Sequence, residues 1–188
     1  MDENPRPPKR SKLSNLAPAP DINSLTDLVT LAASFKLYKN IDSVALWQIY
    51  PDIAKLDAMV GMEKLKETIF YQVLYYLQGM HLRNTNDEYL HTVIIGPPGS
   101  GKTTVAHIIA DIYKNLGILS KTGEVKLAHR DDFIAGYLGQ TAIKTKKLLT
   151  SALGGVLFID EAYSLGSAKE SGDSYSKEAI DTMVSFLS

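Results

Sequence analysis

Residues Gly96 to Thr103 (GPPGSGKT) satisfy the spacing G-x-x-x-x-G-K-[ST], which brings together positions without side chains, an ammonium and a hydroxyl. A polyphosphate needs many donors and little steric obstruction. Gly96 opens the loop, Gly99 and Gly101 let the backbone approach closely, and the amides from Gly99 through Ser100 to Thr103 would converge on an anion at a helix start. Pro97 and Pro98 offer no amide and can only shape the loop. Lys102 would reach the outer phosphates, the Thr103 hydroxyl would ligate magnesium, and Thr104 completes the nucleotide-contacting run. The bland alternative, a glycine turn with an accidental lysine, is disfavoured by the strand and helix patterns on either side.

A second constellation is GGVLFIDEA, in which four apolar residues, Val156 to Ile159, deliver Asp160 and Glu161 to the carboxyl end of a strand. In isolation an acid pair after an apolar run is usually a solvated strand end. Coupled to a phosphate loop it reads as hydrolytic: Asp160 in the magnesium shell, Glu161 orienting and deprotonating the attacking water. The catalytic pair is then Glu161 and Lys102, and the cofactors are ATP and Mg2+. A small-molecule kinase would need no water-activating acid.

These side chains require elements to hold them. The run TVIIG before the loop reads as a strand and KTTVAHIIADIYKNLG after it as a helix with Val105, Ile108, Ile109 and Ile112 on one face. Met62 to Gln78 is a long helix, with Leu65, Ile69, Val73 and Leu77 stepping by four. EVKLA and GGVLFID are further strands separated by helical stretches, an α/β alternation that implies a parallel sheet covered on both faces, a three-layer fold. Upstream, Asn23 or Ser24 caps a helix through LTDLVTLAASFKLYKN. The segment IDSVALWQIYPDI, interrupted by Pro51, reads as a strand or docking strap.

The remaining features mostly exclude. With 20 basic and 21 acidic residues there is no global field to attract nucleic acid or an anionic membrane, and zero cysteines remove disulfides and thiolate chemistry. The longest uncharged apolar-rich stretch, Thr68 to Leu82, is shorter than the roughly 20 residues of a membrane span. Residues 1–20 hold five of the eight prolines and four basic residues, which predicts a disordered basic tail. The start of the chain carries no secretory signal, so a cytoplasmic location is expected. PPKRSK within the tail is a basic run of the kind nuclear-import receptors read, although a solubilising terminus is the blander reading.

GPPGSGKTT and GGVLFIDEAYSL, with LDAMVGMEKLKETI before them and RDDFIAGYLGQTAIKTKKLLTSALGG between, resemble AAA+ ATPases of the group containing stage V sporulation K-like proteins and the red-type Rubisco activase. The resemblance runs from Leu56 to Ser188. It implies a P-loop NTPase large subdomain at 56–188, preceded by an N-terminal helix and strap at 21–55. It also implies that Val60 and Gly61 border the adenine, that Asp160 and Glu161 are the Walker B pair, and that Tyr137, Leu138 and Gly139 form a pore loop gripping a protein partner in a homo-oligomeric, hexameric ring. Phe133, Ile134, Tyr137 and Leu138 would also fit one apolar helical face, but Gly136 and Gly139 favour an exposed loop. Lys144, Lys146 and Lys147 read as the solvated face of the next helix.

In the family the sheet order is 5-1-4-3-2, and only the first three strands are recognisable before Ser188. Without its neighbours the TVIIG strand would pair abnormally or leave unpaired edges. The four arginines, Arg6, Arg10, Arg83 and Arg130, match no arginine-finger position. The expectation is the front portion of a longer polypeptide. The competing reading is a nucleotide-dependent binding or regulatory module with little hydrolysis.

Overall fold

The computed structural model describes residues 16–83, 90–120, 123–137, 139–166 and 174–187. The PPKRSK run and Leu138 lie outside the described residues. The chain divides into two compact units, 1–118 and 119–188.

The first unit is helical: α1 (Leu25–Ala33), α2 (Ser43–Ala58), α3 (Glu63–Leu77), a 3-10 turn (Met80–Arg83) and α4 (Lys102–Asn115). Side-chain caps start the first two helices. Ser24 Oγ accepts the Asp27 N–H at 3.1 Å, and Asp42 Oδ1 accepts those of Val44 and Ala45 at 3.0 Å each. The core collects Leu28 and Leu31 from α1, Leu46, Ile49, Ile53 and Leu56 from α2, Ile69 and Val73 from α3, and Val105 and Ile112 from α4. Buried Asp52 on α2 is compensated by Lys55 Nζ and by Asn115 Nδ2 at the end of α4, both at 2.9 Å. Burial, and then the nearby Tyr76, push the Tyr113 phenol up to about 12, while its hydroxyl donates to Gln72 Oε1.

Three sequence expectations change here. The segment read as a strap is the continuous helix α2, whose buried residues recur at helical spacing around Pro51; the proline sits on the exposed side, where its missing N–H and its ring disturb least. The boundary drawn between residues 55 and 56 therefore falls inside a helix. The first helix stops at Ala33 instead of running on through Asn40, because Phe35 turns to φ 49°. Finally, TVIIG forms no strand: Val93 and Ile95 are 84% and 92% exposed, and no described residue pairs with them. A β-branched run takes up strand structure only beside a partner that satisfies its amides and carbonyls.

The second unit holds β1 (Val125–Ala128), α5 (Arg130–Phe133), α6 (Thr141–Ser151), β2 (Val156–Ile159), α7 (Tyr163–Gly166) and α8 (Ser174–Leu187). The strands are parallel, as the sequence predicts, in the register Val125↔Val156 through Ala128↔Ile159, and their crossover is the α5–α6 segment. Their starts approach so closely that only glycine fits: a Cβ on Gly155 would clash with the Glu124 carbonyl oxygen, and one on Gly123 with that of Gly154. The core is Ala128, Phe133, Leu165 and Ala179, with Leu148, Leu157, Ile159, Ile180 and Met183 packed against it. Among the described residues no helix is long and apolar enough to cross a membrane.

Candidate functional site

The phosphate-loop candidate sits at the start of α4. Gly99 and Gly101 adopt φ +75° and +82°, so both use the left-handed region that the sequence motif reserves for glycine. Gly101 caps α4 without a side-chain hydrogen bond, which leaves the first-turn amides of Lys102, Thr103 and Thr104 at the positive end of a 14-residue helix. Lys102 Nζ folds back to donate to the carbonyls of Gly96 and Pro97 at 3.1 and 2.9 Å. Charged phosphate oxygens are stronger acceptors than these carbonyls. At two of its glycines, Gly96 and Gly101, the cradle also has little room for added atoms. A Cβ at Gly96 would meet Ser100 Oγ at 2.9 Å, and one at Gly101 would meet Met59 Cε at 3.2 Å. The residues present thus suit a polyphosphate.

The same contact locates Val60 and Gly61. Their neighbours Met59 and Met62 both lie against Gly101, and Gly61 turns at φ +76° while Val60 is fully exposed. Lys66, which the sequence reading passed over, ties this turn down from α3 by donating to the carbonyls of Asp57 and Met59 at 3.0 and 2.6 Å. Its position one helical turn after Glu63 was the available signal, since a lysine there can reach back over the preceding loop.

The acid pair belongs to the second unit. Asp160 extends the ladder past β2 by donating its N–H to the Ala128 carbonyl at 2.9 Å, and its Oδ1 accepts the Glu161 N–H at 2.9 Å. Glu161 then turns into the left-handed region at φ 50°, so the two carboxylates leave the strand end along different paths. The Tyr163 hydroxyl bonds the exposed Glu161 carboxylate, and that bond, reinforced by the carboxylate charge, raises the Tyr163 phenol above its ordinary range. No sequence rule singled out Tyr163.

The pore-loop candidate leaves the helical face and lies in the loop between α5 and α6. Tyr137 is 74% exposed, whereas Phe133 is fully buried as the last residue of α5. Gly139 turns at φ +78°. The base of the loop is anchored: Thr141 Oγ1 accepts the Ala135 N–H at 3.2 Å, and Thr145 Oγ1 donates to the Phe133 carbonyl at 3.2 Å. Lys144, expected to be merely solvated, donates to the carbonyls of Asp131 and Ile134 at 2.6 and 2.9 Å, because one turn into α6 its ammonium faces the carbonyl end of α5.

Comparison with known proteins bears on the whole arrangement. Residues 92–188 match the ATPase family associated with various cellular activities (AAA). The chain is 39% identical over 165 residues to a putative cfxQ-like protein of Acanthamoeba polyphaga mimivirus, covering 85% of this chain and 40% of that protein. It is 40% identical over 137 residues to stage V sporulation protein K of Bacillus subtilis (71% and 42%). It is 38% identical over 139 residues to the ESX-1 secretion system protein EccA1 of Mycobacterium tuberculosis (70% and 24%). The chain thus spans less than half the length of these curated relatives. With its phosphate loop, parallel strands and strand-end acids in this order, the chain belongs to the AAA family of ATPases and has its P-loop NTPase fold.

Proposed function

We propose that the chain binds ATP with magnesium through Gly96 to Thr104 and that the assembled protein hydrolyses it to remodel a protein partner. The observation that carries this reading is the loop itself: two glycines at positive φ, uncapped first-turn amides on α4, and Lys102 parked on carbonyls that a phosphate would displace. Val60 and Gly61 border the base. Thr103 and Asp160 are the proposed magnesium ligands, and the bound ion would offset charge on the phosphates. Glu161 is the proposed base that orients water and takes its proton. Tyr137, with Leu138 and Gly139, presents an aromatic grip to a polypeptide in a homo-oligomeric ring. Family membership supports ATP-dependent activity; the partner and the ring belong to the proposal.

A second reading, a nucleotide-dependent binding module with little turnover, is favoured by Val93 and Ile95 immediately before the loop, which are exposed and unpaired among the described residues. Glu161→Gln separates the two. A hydrolase keeps affinity for a fluorescent ATP analogue and loses phosphate release by about 100-fold or more, as removal of a general base does. A binding module shows the same low phosphate release before and after. Tyr137→Ala is expected to leave nucleotide affinity unchanged and to abolish partner-stimulated turnover; stimulation that survives removes Tyr137 from the grip.

A further inference from the structure

The phosphate loop is carried by the buried face of α4, whereas the Met59–Met62 turn that lies against it has little of its own to fix it. Val60 is 98% exposed, Gly61 stands at φ +76° with open space around it, and Met62 begins α3 at φ 62° without a side-chain cap. A left-handed methionine is disfavoured, because its Cβ is crowded there. The turn is held from outside. Lys66 Nζ, partly buried on α3, donates to the Asp57 carbonyl at 3.0 Å and to the Met59 carbonyl at 2.6 Å, so a neighbouring helix closes the carbonyl end of α2. From α1 the Thr26 hydroxyl donates to Asp57 Oδ1 at 2.9 Å. The clamped turn rests on the phosphate loop: a Cβ on Gly101 would meet the Met59 and Met62 methyls at 3.2 and 3.7 Å.

We propose that Lys66 is a positioning residue for the nucleoside end of the bound nucleotide: by clamping the Met59–Met62 turn it sets the base border against the phosphate cradle. The proposal rests on the reading of Val60 and Gly61 as that border. One ammonium bonded to two carbonyls two residues apart fixes the path of the chain between α2 and α3. A turn ordered in this way before the ligand arrives loses little further freedom on binding, whereas a loose one must be ordered then, at a cost in affinity. Lys66 makes no contact with the nucleotide in this role and acts through the turn. Its positive charge would act on any polyphosphate alike, while the clamp matters only to a ligand long enough to reach the turn. That difference separates the two roles.

The test titrates ATP and inorganic tripolyphosphate, each with magnesium, calorimetrically into the full 188-residue chain and into its Lys66→Met variant, which keeps an apolar stem and removes the donors. ATP affinity should fall about tenfold, the order expected on losing hydrogen bonds from a charged donor, while tripolyphosphate affinity stays within about twofold. Lys66→Gln, neutral and one bond shorter but still a donor, should weaken ATP about threefold, and it decides the matter if Lys66→Met loses its helical circular dichroism. Unchanged ATP affinity in a folded variant overturns the proposal. Equal weakening of both ligands assigns Lys66 to charge or to the phosphate loop and overturns it as well. A wild-type chain that binds ATP no more tightly than tripolyphosphate removes the base border, and one that binds neither removes the phosphate-loop reading itself; the role of Lys66 falls with either.

Discussion

The two units use similar sequence material to different ends. In the first, an apolar β-branched run (TVIIG) leads to the phosphate loop and stays exposed and unpaired. In the second, a run of the same kind (GGVLFID) leads to the acid pair and forms β2, because β1 lies beside it in parallel register. The first unit is nevertheless the better buried, since α1 to α4 supply most of the fully buried side chains. A phosphate loop is thus anchored here from its helix side: Val105, Ile109 and Ile112 on α4 are in the core, while the strand side has no partner among the described residues. The acid pair, by contrast, owes its position to a strand.

The comparison can be broken most forcefully from the second unit. Phe133→Ala should remove about 3–5 kcal/mol by leaving a cavity in its small core. In hydrogen exchange the amides of Val125–Ala128 and Val156–Ile159 should lose protection while those of Val105–Ile112 keep theirs; equal loss in both would mean that the units unfold as one.

A smaller effect concerns the first unit in alkali. The Tyr113 phenol is raised from 10.0 to about 12 in the folded state, so the folded chain holds its proton more tightly than the unfolded one. The corresponding stability is fully present below about pH 10 and disappears as the pH passes about 12, a loss of about 3 kcal/mol. Urea midpoints measured on either side of that window should fall for the helices of the first unit, and Tyr113→Phe should remove the dependence.

The smallest effect sharpens the contrast between the runs. Ile95→Lys, at a side chain 92% exposed, should change stability by less than about 0.5 kcal/mol. Leu157→Lys, on the partly buried strand β2 and packed against the core, should cost several times more. Similar costs in thermal melts would show that Ile95 is covered after all.

Much of the molecule was legible from residue order. Helices α3 and α4 follow from apolar steps of three and four, the loop between them from its glycines and lysine, and β1 and β2 from short apolar runs. Those signals are local, and so is the chemistry they mark. The misreadings share a cause. Pro51 looked like an interruption because propensity weighs the residue alone, yet the buried row Leu46, Ile49, Ile53 and Leu56 outweighs one missing N–H. Phe35 stands inside the run read as the first helix but lies beyond the helix end. Lys144 and Tyr163 were invisible as positioning groups because their partners are carbonyls and a carboxylate whose directions depend on the fold, and Lys66 was marked only by its place one turn into α3.

The sequence by itself determined the kinds of chemistry present: which residues can cradle phosphate, which acids end a strand, and which family arranges them so. Only the tertiary structure decided which apolar runs became strands, which side of the phosphate loop is anchored, and that Lys144 and the two threonines of α6 hold the base of the Tyr137 loop. Identity and spacing are properties of the chain alone. Pairing and burial depend on a second segment being in place to complete the hydrogen bonds and exclude water.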